Sequence, residues 1–420
     1  MKTVELLNER INERRDELET WFTGQSEKVL VPLYTSVDLR VSDYKIAPVD
    51  TNVFPAGFNN LSQEFRDHAS GLFKDYFLRK YPKASSVMII PELHTRNPYY
   101  WENISVLKSI IENVGYEVDV GIVSDDYDRG DISFKALSGK EVSAHKVMKD
   151  GHRVVTSVSD PDLILINNDF SEKCPKTLRD IMQPVEPPVE IGWHTRKKSV
   201  HFEFYNKLAG EVAGILDIDP GIVSIKTVAE EGVNFDSPED RGRAAVLVES
   251  ILDELREEYR ENGIEDSPYV FLKSNSGTYG MAVMSVTDGD QVRTLNAEGR
   301  KRMRVSKGGK PVRDIVIQEG IPTSLKLSSG ASAEPVLYMV EAKAAGGFLR
   351  LNKGKSVLEN LNSRGMEFSH MYSEQSQSND QNQGVFLTQA YELLACVASI
   401  ATGYEIEKIL KEGGCKEEVS

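Results

Sequence analysis

The sequence contains few cysteines, and their spacing argues against two common kinds of scaffold. The 420 residues include three cysteines, Cys174, Cys396 and Cys415, and no two of them form a C-x-x-C pair. Such spacing argues against a disulfide framework and a cysteine-built zinc site, and it is typical of proteins in a reducing compartment. The seven histidines show no H-E-x-x-H pattern, so a zinc enzyme of that type is not indicated.

Long hydrophobic runs are also missing. The first 22 residues contain no apolar segment of the kind that directs secretion, and their apolar residues instead recur at helical spacing. The longest apolar stretch near the C-terminus, residues 393–401, is much shorter than the ~20 residues of a membrane-spanning helix. The sequence therefore predicts a cytoplasmic protein with no membrane partner.

Positive charge is in the minority. The chain has 50 lysines and arginines against 65 aspartates and glutamates, which gives a net charge of −15. A chain of this charge repels nucleic acid and anionic lipid, so we expect no nucleic-acid partner. Any anionic ligand has to be bound in a local basic pocket. With 40% hydrophobic and 27% charged residues the composition is that of a globular protein, and the length predicts two or three domains.

The first half of the chain has the pattern of a parallel sheet. Apolar runs at 87–90, 118–123 and 163–166 read as strands, and a helical stretch at 101–114, closed by Gly115, separates the first two. Strand, helix and strand in this order indicate a βαβ unit. We therefore predict a Rossmann-like N-terminal domain that ends near the proline-rich residues 184–188.

The second half alternates helices with short strands. We predict helices at 197–216, at 238–262 with Ser237 as its N-cap, and at 385–402. Strands are predicted at 222–228, 269–273, 281–286, 314–319 and 335–342, and the polar residues 373–384 are expected to form a loop. The fold class is therefore α/β with α+β character.

The segment 270–283, VFLKSNSGTYGMAV, joins two of these strands through a loop of small residues. Small residues allow backbone N–H groups to approach phosphate oxygens, hydroxyl groups add donors, and a lysine at the strand end supplies positive charge. The pattern is neither G-x-G-x-x-G nor the P-loop sequence. A plain hairpin with a flexible turn is the alternative interpretation. The candidate phosphate-binding residues are Lys273, Ser274, Ser276, Gly277, Thr278 and Gly280.

A later strand, IVIQEGI at 315–321, ends in polar residues. A lysine strand, a glycine-containing flap and a strand with a Q-E end resemble, in this order, the ATP-grasp fold. The resemblance implies that backbone atoms from Gln318 to Ile321 pair with the edge of adenine and that the acidic Glu319 contacts adenine or ribose. It also implies a second phosphate-contacting lysine at the start of a preceding helix, for which Lys198 is the candidate. Positive charge at a helix N-terminus opposes the helix dipole, and a bound anion would relieve this conflict.

Five longer segments resemble the proteobacterial glutamate–cysteine ligase family. They are PVDTNVFPAGFNNL at 48–61, PELHTRNPYYWEN at 91–103, GWHTRKKSVHFEFY at 192–205, FLKSNSGTYGMAV at 271–283 and VIQEGIPT at 316–323. The resemblance implies a ligase that uses ATP and Mg²⁺ to join L-glutamate to L-cysteine, the first step of glutathione biosynthesis. It implies a pre-ATP-grasp substrate domain at 1–190, a small subdomain with the phosphate flap at 191–285, and a subdomain with the adenine hinge and metal site at 286–420.

The resemblance leaves two placements of the metal ligands open, because the sequence has no E-x-N motif of the kind usual in ATP-grasp enzymes. One placement takes Glu341 and Asn352 as the ligands. The other takes Glu359 and Asn362 as the ligands and makes Arg350 a catalytic contact to substrate or phosphate. Oxygen ligands suit Mg²⁺ in either case.

Polar residues that follow strands of the first half are candidates for binding the amino-acid substrates. These are Arg96, Asn97 and Asn59, together with Asn52 and Asn60, and Arg96 is suited to clamp a carboxylate with two hydrogen bonds. Capping of loops is an equally good interpretation of these residues. The basic run 300–304 either covers the triphosphate or faces solvent, and we favour solvent.

The chemistry required of such a ligase follows from its reactants. A carboxylate does not react with an amine in water, whereas an acyl phosphate has a good leaving group. Lysines such as Lys273 and Lys198, together with Mg²⁺, have to neutralise the phosphoryl group during its transfer. An ATP-grasp ligase for another carboxylate and amine, and a non-catalytic nucleotide-binding protein, remain the alternatives. The sequence leaves the oligomeric state open, a homo-oligomer included.

Overall fold

The computed structural model describes residues 2–93, 97–123, 130–171, 173–277, 282–304, 311–327, 329–373 and 385–413. The described helices are α1 (Lys2–Glu13), α2 (Arg15–Ser26), α3 (Gln63–Lys80), α4 (Pro98–Glu112), α5 (Lys198–Leu216), α6 (Pro238–Glu261), α7 (Asp290–Arg293), α8 (Ala297–Arg304) and α9 (Gln389–Lys411). Short 3-10 turns lie at Phe58–Asn60, Lys176–Leu178, Val189–Ile191 and Pro220–Ile222.

The described strands fall into three larger sheets and one small hairpin. The strands are β1 (Tyr34–Val41), β2 (Ile46–Asn52), β3 (Ser86–Pro91), β4 (Glu117–Ile122), β5 (Ile132–Lys135), β6 (Glu141–Lys146), β7 (Met148–Asp150), β8 (Arg153–Val155), β9 (Leu163–Asn167), β10 (Val185–Glu186), β11 (Thr227–Glu230), β12 (Val270–Ser274), β13 (Val283–Val286), β14 (Ile315–Glu319), β15 (Ala333–Val340), β16 (Lys343–Leu351), β17 (Glu367–Tyr372) and β18 (Val385–Phe386). The molecule is therefore mixed α/β.

Sheet I combines strands from both ends of the chain in the order β18-β17-β16-β15-β1-β2. Strand β1 is buried along its whole length and pairs antiparallel with β15 and β2. Its side chains alternate between two faces, as strand geometry requires. Thr35 is hydrogen-bonded to Ser399 of α9 at 2.8 Å, so one face packs on the C-terminal helix. The other face carries Ser36, Asp38 and Arg40.

Sheet II has the order β10-β9-β3-β4-β6-β5, with every pair parallel except β5–β6. Helix α4 connects the parallel strands β3 and β4, so the predicted βαβ unit is confirmed. The helix begins after Asn97, whose side chain accepts a hydrogen bond from the backbone N–H of Tyr100 at 3.3 Å, with proline as the first helical residue. Gly115 follows the helix with a positive φ of 96°.

Sheet III is a four-stranded antiparallel sheet in the order β11-β14-β12-β13. One face packs on α6 through apolar residues that include Val270, Leu272 and Ile317. As predicted, Ser237 caps α6, with its side chain accepting from the N–H of Asp240. The opposite face carries Phe271, Lys273 and the side chain of Gln318.

The sheet pairing differs from the expected domain boundaries. Strand β14 belongs to the same sheet as β12 and β13, so a boundary at residue 285 divides sheet III. Strands β1 and β2 pair with the C-terminal strands, so residues 1–190 do not form a separate unit. The reason is physical: the backbone N–H and C=O groups on the two edges of β1 are paired by β2 and β15, and strand pairing at this distance in sequence leaves no local signal.

Two predicted elements also differ from the structure. The strand predicted at 222–228 is instead a 3-10 turn followed by β11, because Asp219 caps the turn at the N–H of Gly221 and Pro220 starts it. The last helix begins at Gln389, after the cap Thr388, and not at residue 385. The predicted loop at 373–384 lies almost entirely outside the described residues. Within the described ranges, none of the helices is both long and apolar enough to cross a membrane.

Candidate active site

A cleft of about 620 Å³, including its part open to solvent, lies between sheets I and III. We call it the main cleft. The sheets line it with residues of both charges, and the N-terminus of α5 adds Lys198. The charged lining residues are Asp38, Arg40, Asp50, Lys198, Lys273, Glu334 and Arg350. Four cations face three carboxylates, so the local charge is positive although the whole chain carries −15. This is the local basic pocket that an anionic ligand requires.

Lys273 lies at the end of β12 and points into the main cleft. Its Nζ donates to the carbonyl oxygen of Val49 at 3.1 Å and to Oε1 of Gln318 at 2.5 Å. The pKa of Lys273 is lowered to about 8, mainly by burial; Asp50 opposes this effect, and the neighbouring Lys198 and Arg40 add to it. Only neutral oxygens accept its hydrogen bonds, so the charge of Lys273 is incompletely compensated.

Lys198 is the first residue of α5, and its Nζ forms an ion pair with Asp50. The same Nζ lies 4.6 Å from the ring centre of Trp193. Burial disfavours the charged form of Asp50, but Lys198 and Lys273 outweigh this effect and lower its pKa. Asn275 connects the start of α5 with the end of β12. It follows directly after β12, and its carbonyl oxygen accepts a hydrogen bond from the backbone N–H of Lys198 at 2.7 Å.

The small-residue loop follows Lys273 into the same cleft. Ser274 and Gly277 line the cleft, and the hydroxyl of Ser274 donates to the carbonyl of Ser276 at 2.5 Å. Gly277 has a φ of +99°, a conformation that favours glycine. Thr278 and Gly280 lie outside the described residues.

Arg350 is buried in an ion network on sheet I. Its guanidinium donates to Asp38 at 2.6 Å and to Glu334 at 2.8 Å, and Arg40 contacts Glu334 at 2.8 Å. Burial disfavours the charged guanidinium, but Asp38 and Glu334 outweigh it and raise the pKa of Arg350. Its Nε is buried without a hydrogen-bond partner in the described part of the chain. The network holds the guanidinium in the cleft, with the Nε–H left without an acceptor among the described residues.

The predicted adenine hinge is only partly placed at the cleft. Gln318 holds Lys273 through its side-chain oxygen, and its Nε2 is buried without a partner within the described segments. Glu319 is fully buried, paired with Lys45 at 2.5 Å and bonded to the N–H of Lys226 at 3.1 Å, so its carboxylate is occupied on the other face of sheet III. Ile321 is fully buried. The side chains of Glu319 and Ile321 are therefore not available to a nucleotide.

Of the predicted metal ligands, only Asn362 lines the cleft. Glu341 lies in the turn between β15 and β16, at the opposite end of this hairpin from Arg350, and is paired with Arg79. Asn352 is buried, and its amide contacts Ser363 at 3.1 Å and the N–H of Gly354 at 3.1 Å, so it holds the following loop.

Glu359 does not line the cleft either. Its carboxylate is paired with Lys355 at 2.8 Å. Across the described ranges, no group of three or more His, Cys, Asp or Glu residues is arranged to hold a metal ion.

Of the predicted substrate residues, Asn52 and Asn60 line one cleft, whereas Arg96, Asn97 and Asn59 are not brought together there. Asn97 is exposed and serves as the cap of α4, and Arg96 lies outside the described residues. Asn59 contacts Asn60 at 3.2 Å, and Asn60 rather than Asn59 lines a cleft. The basic run 300–304 forms most of α8, where Arg300 and Arg304 pair with Asp236.

Four charged residues of the cleft were missed by sequence reasoning: Asp38, Arg40, Asp50 and Glu334. In the run Tyr34–Val41 polar residues alternate with apolar ones, the period-2 pattern of a strand, which is a signal for Asp38 and Arg40. No comparable local signal marks Asp50 or Glu334, because their neighbours in the cleft are distant in sequence.

Comparison with known proteins supports a single assignment. A family model described as glutamate–cysteine ligase matches residues 8–406. A crystal structure from Methylobacillus flagellatus KT, of a protein assigned as a gamma-glutamylcysteine synthetase, is 31% identical, with a TM-score of 0.86 over 97% of each chain.

A D-alanyl-alanine synthetase A from Vibrio cholerae is more distant, at 10% identity and a TM-score of 0.33 over 77% of this chain and 81% of that one. No curated protein sequence gives a significant match. Because the family model covers nearly the whole chain, the chain belongs to the glutamate–cysteine ligase family.

Proposed function

We propose that the main cleft is where this ligase binds ATP and activates the γ-carboxylate of L-glutamate as an acyl phosphate, which the amine of L-cysteine then attacks. In this proposal sheets I and III form an ATP-grasp pair that encloses the nucleotide, and sheet II is a Rossmann-like supporting domain. The observation that carries it is the convergence of Lys198, Lys273 and Arg350 in one positively charged cleft.

The triphosphate is bound by the cations whose charge is least compensated. Lys273 has only neutral acceptors, and the small-residue loop after it offers backbone N–H groups. Transfer of the γ-phosphoryl group places negative charge on three oxygens, and cations held in position stabilise that charge without reorganising. Lys198 and Arg350 are held by Asp50, and by Asp38 with Glu334, so they are already oriented before substrate binds.

The lining of the cleft also fits Mg²⁺. This ion is commonly bound through one or two carboxylates and the substrate phosphates rather than by a complete protein cage. Asp38 and Glu334 supply carboxylates whose oxygens accept from Arg350 and Arg40 but each retain a second lone pair, and Asn362 supplies an amide oxygen. We propose these residues as the ligands in place of Glu341, Asn352 and Glu359. When bound, Mg²⁺ would neutralise part of the charge of the transferring phosphoryl group.

Formation of the peptide bond then needs little further chemistry from the protein. The ammonium group of cysteine first loses a proton to solvent, and its nitrogen then attacks the acyl carbon. The C–O bond to phosphate breaks, phosphate leaves with the electron pair, and the nitrogen passes a second proton to the departing phosphate. Proximity and exclusion of water supply most of the acceleration for such a step. The role of the chain is therefore to hold the acyl phosphate beside the amine.

The test is an ADP-release assay with glutamate, with and without cysteine, in the wild type, in Lys273→Ala and in Lys301→Ala. Lys301 is an exposed lysine on α8 and serves as the matched control. We expect Lys273→Ala to lose activity by about two orders of magnitude, a loss typical for a group that stabilises the transition state. Lys301→Ala should retain it, and circular dichroism should show both variants folded. Equal activity of the two variants would refute the role of Lys273, and no amino-acid-dependent ADP release by the wild type would refute ligase function.

A further inference from the structure

A second cleft, which we call the side cleft, opens from the main cleft on the same face of sheet I. It has a volume of about 820 Å³, including its part open to solvent. The two clefts share Asp38, Asp50, Arg350 and Asn362. In the reaction proposed above, the acyl carbon must meet the nucleotide phosphate on one side and the amine on the other. The shared residues therefore mark the point of reaction, and the amine donor has to approach through the side cleft.

The charge of the side cleft discriminates between the two amino-acid substrates. Its described lining residues include the carboxylates of Asp38 and Asp50 and one cation, Arg350. The charge of Arg350 is already compensated by Asp38 and Glu334, so the described lining offers less positive charge to a second carboxylate than the main cleft does. Glutamate carries a net negative charge at neutral pH, whereas cysteine is a neutral zwitterion with an ammonium group. The side cleft is therefore better suited to cysteine.

The wall of the side cleft is apolar and rich in aromatic rings. Phe348 and Tyr338 of sheet I, and Trp193, are buried behind it. At its rim, Met366 and Phe368 are each 42% exposed, and the ring of Phe368 lies edge-on to that of Phe348 with 5.2 Å between centroids. Large apolar side chains exposed beside a charged site mark a surface that a ligand covers. A thiol fits this surface, because sulfur makes favourable contacts with aromatic rings.

Asn52 provides an acceptor at the polar end of the same cleft. It lines the side cleft, and its Oδ1 is buried without a hydrogen-bond partner among the residues that the structure describes. A buried carbonyl oxygen without a donor costs free energy, which an ammonium group would recover. Asn52 and Asp50 are two residues apart on β2 and so face the same side of sheet I.

We propose that the side cleft is the subsite for the amine substrate, with Asn52 and Asp50 receiving its ammonium group, and that Phe368 and Met366 select its thiol. This inference rests on the proposed acyl-phosphate chemistry. Phe368 and Met366 are the specificity-determining residues that can be changed safely, since both are exposed and belong to neither the ion network nor the hydrophobic core.

Steady-state kinetics of Phe368→Ala and Met366→Ala test the proposal. The acceptors are L-cysteine and L-2-aminobutyrate, in which a methyl group replaces the thiol. Leu410→Ala is the matched control, because Leu410 is also 42% exposed but lies on α9. We expect KM for cysteine to rise about fivefold in Phe368→Ala, the equivalent of one sulfur–aromatic contact. The preference for cysteine over 2-aminobutyrate should fall by a similar factor, while KM for ATP and for glutamate stays unchanged.

The failure of this inference is distinguishable from failure of the proposed function. If the variants turn over normally and both KM for cysteine and the preference for the thiol are unchanged, the assignment of the wall is refuted although the ligase chemistry stands. A rise in KM for glutamate in place of cysteine would also refute it. If the wild type itself releases no ADP with these amino acids, the proposed function fails first.

Discussion

Replacing Lys273 by methionine tests whether the buried charge of this lysine lowers the stability of the folded protein. The pKa of Lys273 falls from its ordinary value of 10.5 to about 8 because the lysine is buried. At neutral pH the charged form is therefore held in the folded protein at a cost of about 3 kcal/mol, at 1.36 kcal/mol per pH unit. A site that binds phosphate has reason to keep such a charge, since the ligand compensates it.

The sign of the pH effect follows from proton binding. Between pH 8 and 10.5 the folded protein has lost the proton of Lys273 while the unfolded chain still keeps it, so the wild type becomes more stable as the pH rises. Methionine does not titrate. We expect the stability of the wild type, relative to Lys273→Met, to increase by about 1 kcal/mol between pH 7 and pH 9.

Urea unfolding of both proteins at pH 7, 8 and 9 measures this difference. Other titrating groups are common to the two proteins and cancel in the comparison. The two hydrogen bonds of Lys273 are also lost in the variant, but they shift all three values alike to first order. A stability difference that stays constant from pH 7 to 9 would show that the lysine does not titrate in this range, and the reasoning from burial would be refuted.

Three further predictions concern the metal, the C-terminal helix and a helix cap. Asp38→Asn should raise the Mg²⁺ concentration needed for half-maximal ADP release about tenfold, whereas Glu341→Gln should leave the Mg²⁺ titration unchanged; equal behaviour of the two variants would contradict the placement of the metal on sheet I. Glu405 is buried and paired with Arg196 at 2.8 Å. Burial disfavours the charged form of Glu405, but Arg196 outweighs burial and lowers the pKa of Glu405 to about 2. The stabilisation from this ion pair is therefore lost as the pH falls from 4.5 towards 2. Glu405→Gln should cost about 3 kcal/mol of stability at pH 7, with a smaller difference from the wild type at pH 3; a difference independent of pH would count against the ion pair. Ser237→Ala should lower the free energy of unfolding in urea by about 1 kcal/mol because it removes the cap of α6. A loss no larger than that of a substitution elsewhere on the surface would argue against this cap.

Local patterns in the sequence predicted the elements whose signals are local. Apolar runs located β3, β4, β9, β12 and β14, and the Ser-Pro pair located the start of α6. The helix predicted at 101–114 instead begins at Pro98, because Asn97 caps it. The sequence also placed Lys273 at the end of an apolar strand, and this residue lines the main cleft.

The remaining features depend on contacts between distant parts of the chain. Arg350 faces Asp38, and the two are separated by 312 residues, so no window of sequence could pair them. Glu319 was predicted at the nucleotide because its strand ends in polar residues, yet Lys45 from the turn after β1 occupies it. Period-2 patterns identify the face of a strand but not the element that covers this face.

The mixed origin of sheet I has a consequence for how the protein is made. Strands β1 and β2 leave the ribosome early, but their hydrogen-bonding partner β15 is synthesised almost three hundred residues later. Sheet II, which uses only residues 86–186, can assemble during translation. The edge of β1 that pairs with β15 stays unpaired until β15 has been synthesised. The floor of the main cleft is thus completed late, and fragments that end before residue 340 should be prone to aggregate.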